Sequence, residues 1–178
     1  MAVFNLIQHT ELSGAAASFD VTSIPASYDH LYMVASAKTD QVAWIDDVQL
    51  TFNGVGGTSY GATSLYAGTS APQGGGGSGH SSHSAINYIY VGGAETSSDT
   101  FGTVEIWVPN YANTSNFTQA IIKWGTIDSS STDYQWLTGQ TAGLFSNTAA
   151  INQFTLDADG NNFTTHSTFT LYGINGAG

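Results

Sequence analysis

Between Phe101 and Trp124 the chain alternates apolar and polar residues on two arms. Val104, Ile106 and Val108 alternate with Thr103, Glu105 and Trp107, and Ala120, Ile122 and Trp124 alternate with Gln119, Ile121 and Lys123. Period-two alternation on both arms predicts antiparallel strands with one buried face. Pro109 ends the first arm because it cannot donate to a ladder. Asn110, Asn113, Ser115 and Asn116 between the arms are turn formers. Pairing Val104 with Trp124, Ile106 with Ile122 and Val108 with Ala120 buries the even-numbered face. Glu105 then opposes Lys123, and Trp107 opposes Ile121. A slip of one residue would turn each set to the wrong side.

The rest of the chain repeats the pattern in shorter pieces. Strands are predicted over 3–9, 18–24, 30–37, 41–53, 63–67, 85–91, 133–137, 142–145, 150–156 and 167–174, with turn signals between them. The segment HLYMVASA (30–37) is almost continuously apolar and reads as a central strand covered on both faces. Asn53-Gly54 reads as a turn. No segment carries apolar residues at helical spacing over a useful length. The expected fold is therefore all-β: one domain over 1–178, a jelly-roll-like antiparallel β-sandwich of about ten to twelve strands. The Gly/Ser-rich stretch 68–84 reads as an exposed loop inserted in that domain, since it has too little apolar area to offset its ordering entropy.

Charge narrows the partners. The chain carries 13 acidic residues against two basic ones, Lys38 and Lys123, for a net −11. Such a chain cannot neutralise a phosphate backbone or an anionic membrane surface, so neither nucleic acid nor membrane is an expected partner. Cysteine is absent, which removes disulfides, thiolate metal sites and a cysteine nucleophile. The first residues, MAVFNLIQHTEL, have no positive n-region and do not read as a signal peptide. Charged residues are only 8% of the chain, so its surface is expected to be polar through hydroxyls and amides.

Candidate chemistry is thin. Asp46-Asp47 is the only adjacent acidic pair and reads as a turn or edge with solvated charges, since strand neighbours face opposite ways. Asp157, Asp159, Gly160 and Asn161 bear a partial likeness to a calcium loop, but the positions do not fit the twelve-residue template, and a hairpin turn is the simpler reading. His80 and His83 lie in the Gly/Ser loop without further ligands. No catalytic residue, cofactor site or metal site is assigned, and the chain is not expected to be an enzyme.

The aromatic content, 4 Trp, 9 Tyr and 9 Phe, is the stronger signal. Trp107 on the more polar face of the hairpin, Tyr111 and Asn113 in its loop, and Tyr134 and Trp136 in the following strand are the candidates for a subunit interface or a glycan platform. Trp107 and Tyr111 are expected to be the most exposed. Trp107 and the loop 110–116 are expected to touch a second sheet or a partner subunit.

Several segments together, SFDVTSIPASYDHLYMVASA, VQLTFNG, the NYANT loop and AINQFTLDADGNNFTTHSTFTLYGI, resemble a family of small structural proteins of tailed phages. The resemblance spans most of residues 15–175. It implies a virion component assembled in the host cytoplasm: a cement or decoration protein on the outer capsid surface that binds the major capsid protein and copies of itself as a dimer or trimer. The alternative it implies is a tail-associated module recognising host surface glycans.

Overall fold

The computed structural model describes residues 3–69, 83–128 and 135–176. The segment 70–82, which holds His80 and most of the Gly/Ser-rich stretch, and Tyr134 lie outside the described residues. Among the described residues there are eleven strands: β1 (Val3–Glu11), β2 (Ser18–Thr22), β3 (His30–Ala37), β4 (Ile45–Phe52), β5 (Tyr60–Gly68), β6 (Ile86–Gly92), β7 (Gly102–Pro109), β8 (Thr118–Asp128), β9 (Gln135–Phe145), β10 (Gln153–Asp157) and β11 (Thr168–Asn175). They form two antiparallel sheets, seven strands in the order β1-β11-β3-β7-β8-β9-β5 and four in the order β2-β10-β4-β6. The molecule is a β-sandwich with unequal layers.

The hairpin read from the sequence is β7–β8, in the expected register: Val104 pairs Trp124, Glu105 pairs Lys123, Ile106 pairs Ile122 and Trp107 pairs Ile121. Its even face is buried, from Val104, Ile106 and Val108 across to Ala120, Ile122 and Trp124. Opposite it, Phe19, Val21, Val48, Leu50, Phe52, Ile89, Val91, Phe154 and Leu156 of the smaller sheet close the core. Each layer thus supplies one apolar face of an alternating strand, which is why both sheets must meet.

Two hydrogen-bond chains tie the layers together. The Tyr60 hydroxyl on β5 accepts from the Phe52 N–H at 2.8 Å and is within donating distance of the Phe52 and Val55 carbonyls, at 3.1 and 3.0 Å. The Trp124 indole donates to Thr141 at 3.1 Å, and the Thr141 hydroxyl donates to the Tyr88 carbonyl on β6 at 2.6 Å. At Gly139 an added Cβ would stand 2.6 Å from the Trp124 ring, so only glycine leaves room for that indole against β9.

Several sequence readings are corrected here. Residues 135–145 form one long strand rather than two short ones, because β9 has partners on both sides and keeps pairing through Thr138 to Gln140. β3 is central in its sheet but covered on one face only, with His30, Tyr32 and Val34 half-buried on the other. Turn DADGNN is not a hairpin turn: β10 and β11 belong to different sheets, and residues 158–167 carry the chain between layers. Asp157 caps that turn by accepting the Asp159 N–H at 2.8 Å.

Candidate interaction surface

One row of residues crosses the outer face of the seven-stranded sheet from edge to edge. Leu6 on β1 pairs Tyr172 on β11, which pairs Tyr32 on β3, then Trp107 on β7, Ile121 on β8, Ala142 on β9 and Thr63 on β5. Cross-strand neighbours on one face stand about 4.5–5.5 Å apart, so the first five side chains make a continuous apolar ridge. Phe4 reinforces it, its ring edge-on to Tyr32 at 5.8 Å and to Tyr172 at 5.9 Å. Trp107 sits 6.2 Å from Tyr32 and 5.0 Å from the His30 ring. Leu6 remains 60% exposed, Phe4 55% and Ile121 38%, so this ridge faces outward with none of the described residues over it.

The next row runs His9, Thr170, Val34, Glu105, Lys123, Gln140 and Leu65. It sets charge and amide beside the ridge. A groove of about 330 Å³ lies between the two rows, lined by Tyr32, Glu105, Trp107, Ile121 and Lys123. Glu105 and Lys123 face each other across the ladder, as the sequence suggested. The Glu105 carboxylate also reaches the Tyr32 hydroxyl, and burial together with that charge raises the Tyr32 pKa above its ordinary value. A third row, from Thr168 through Ser36 and Thr103 to Thr138, is hydroxyl-rich. Past it, Ile127 pairs Trp136, both exposed, beside a second groove of about 420 Å³.

The sequence candidates divide. Trp107 lies at the middle of the ridge, half-buried by its own neighbours. It does not face the second sheet, because odd positions of β7 point away from the core. Trp136 is 40% exposed on the same face, near its far end. Tyr111 is corrected: it is fully buried, its hydroxyl donating to the Pro25 carbonyl, and burial raises its pKa. An aromatic in a loop read as exposed instead anchors that loop to the β2–β3 connection. Asn113 caps its own turn, accepting the Ser115 N–H at 2.6 Å, beside a groove of about 300 Å³ shared with Pro109, Asn110, Asn116 and Phe117. Tyr32, Tyr172, Phe4, Leu6 and Ile121 were not singled out from the sequence. Tyr32 carried a signal, since it alternates with Leu31 and Met33.

The acidic pair is also corrected. Asp46 and Asp47 are strand residues of β4, not a solvated turn. Asp46 is buried and accepts from the Asn161 amide at 3.1 Å; burial raises its pKa. Asp47 pairs Tyr90 just before the register of β4 and β6 shifts between Val48 and Leu50, and its carboxylate accepts the Ile89 N–H at 3.0 Å. The adjoining Tyr88 adopts a left-handed backbone, φ 64°. Burial pushes the Asp47 carboxyl up to about 6, against the pull of those amide donors. Burial, with the Asp47 charge added to it, pushes Tyr90 up to about 12. Both acids are therefore occupied, Asp46 by the amide of Asn161 in the 158–167 connection and Asp47 by the backbone of β6.

Lys38 is buried too, its ammonium donating to the Thr96 and Ser97 carbonyls at 3.0 and 2.6 Å; burial lowers its pKa while Asp128 and Asp99 hold it up. Among the described residues no group of three or more His, Cys, Asp or Glu is placed to hold a metal ion. Against known proteins, the chain matches no family model and no curated protein.

Proposed function

We propose that this chain is a non-enzymatic structural protein of a phage virion, a cement or decoration protein on the outer capsid surface that works by burying area rather than by chemistry. The observation that carries the reading is the apolar ridge from Leu6 to Ile121 on one outer face, set against an opposite face of hydroxyls, amides and carboxylates. A ridge of this length exposed to water marks an attachment surface. The resemblance of residues 15–175 to small phage structural proteins supplies the setting. Its partners are the major capsid protein and further copies of itself.

Particles lacking the protein are expected to lose resistance to heat and osmotic shock while still adsorbing to their host. Added protein should restore that resistance. Loss of adsorption with intact, heat-resistant heads would overturn the reading in favour of a receptor-binding module. One observation favours that second reading: the groove between Trp107 and Lys123 offers aromatic faces beside a carboxylate and an ammonium, the combination that holds sugar rings. Glycan-array binding lost in Trp107→Ala would support it.

A further inference from the structure

We infer that the outer face of the seven-stranded sheet is the interface of a symmetric dimer, its occupant a second copy of this chain. The inference rests on the reading of this face as an attachment surface and names what covers it.

Charge selects the occupant. The chain carries −11 in total, yet the charged side chains among the described strand residues on this face are Glu11, Glu105 and Lys123, two carboxylates and one ammonium. The other cation, Lys38, is buried elsewhere. Two copies approaching through another surface would bring like charges together; here they meet almost neutral.

Register makes the face self-complementary. Place a two-fold axis parallel to the strands, midway between β7 and β8. Each row then meets itself reversed from β11 to β5, with β1 beyond the overlap. Glu105 of one copy faces Lys123 of the second copy, and Trp107 faces Ile121 of the second copy. The same operation brings both Glu–Lys pairs into contact, as an isologous interface requires. Sheets stacked this way sit about 10 Å apart with strands within about 30° of alignment. The six facing strands at ~4.8 Å and the three full rows at ~6.8 Å give about 600 Å² per copy in plan, before side-chain relief is added. That approaches the ~800 Å² per partner of a stable interface.

Sedimentation equilibrium on the full chain at micromolar concentration in 0.15 M salt tests this. The wild type should weigh about twice the 18.6 kDa chain. Ile121→Lys should sediment as a monomer with an unchanged circular dichroism spectrum. Glu105→Lys and Lys123→Glu should each weaken self-association at least tenfold. Mixed in equal amounts, those two variants should form a heterodimer, because each then meets an opposite charge. This rescue cannot arise within one chain, so it holds even if Ile121→Lys fails to fold. A monomeric wild type, or single variants that the mixture does not rescue, would overturn the inference. A monomer that still protects stripped heads sinks the dimer alone. A dimer that gives heads no protection sinks the virion role alone.

Discussion

The two sheets of this sandwich share a core and differ on their outer faces. Across the seven-stranded sheet the middle row is Leu6, Tyr172, Tyr32, Trp107 and Ile121. Across the four-stranded sheet the corresponding rows are Asp20, Thr155, Thr51 and Ser18, Asp157, Gln49. On the smaller sheet the polar groups satisfy one another: the Thr155 hydroxyl donates to Asp20 at 2.6 Å, and the Ser18 hydroxyl donates to the same carboxylate. Over the ridge of the larger sheet the contacts are ring to ring, with the Tyr32 hydroxyl reaching Glu105 at its margin. Both faces are built from alternating strands, so alternation alone does not make an outer face polar. One outer face is finished with its own polar hydrogen bonds, and the other presents apolar side chains to water.

Breaking the join between the layers should have the largest effect. Tyr60→Phe removes a buried hydroxyl that serves the Phe52 N–H and two carbonyls. It should cost about 2–4 kcal/mol in denaturant unfolding, because a buried donor is left unpaired. Asp47→Asn comes next, with the opposite sign. The Asp47 carboxyl titrates at about 6 in the fold, above its ordinary 3.8. Its contribution is therefore fully present below about pH 4 and is lost as pH rises through 6. Asparagine keeps the acceptor without the charge. The variant should be more stable than wild type by about 1–3 kcal/mol at pH 7.5 and equal to it near pH 4.

The faces themselves should respond weakly in the monomer. Trp107→Ala should cost about 1 kcal/mol or less, since the ring rests on the outer-face side chains of Tyr32, His30 and Ile121 and not on the core. Thr155→Val on the polar face should move stability by about 0.5 kcal/mol or less. If Trp107→Ala instead unfolds the monomer, the ridge is structural and the contrast between faces fails. The smallest effect is electrostatic. Removing the Glu105 charge in Glu105→Gln should bring the Tyr32 titration down toward its ordinary value, read by tyrosinate absorbance.

Much of the fold was legible in the sequence where one face of a strand is buried. β3 spans His30–Ala37 as expected, and the β7–β8 register follows from which residues must be inside. Legibility failed where a partner overrides local signals. Polar residues Thr138 to Gln140 look like a break, yet β9 runs through them because β5 and β8 hold both edges. Tyr111 sits among turn formers and looked exposed, but the β2–β3 connection folds over it. Asp46-Asp47 looked like a solvated turn, but β4 buries Asp46 and half-buries Asp47, where Asn161 and the Ile89 amide satisfy them.

The amino-acid pattern by itself determined an all-β chain, the even-numbered core face of the hairpin and its register, because burial on one face of a pleated strand admits only one phase. It also placed Trp107 opposite Ile121. Tertiary structure alone decided that Tyr32, Tyr172 and Leu6 extend that pair into a ridge. Those residues lie far apart in the chain, and only the strand order β1-β11-β3-β7-β8 brings them into line. Strand order is set by how two whole sheets close around a shared core, which no local alternation encodes.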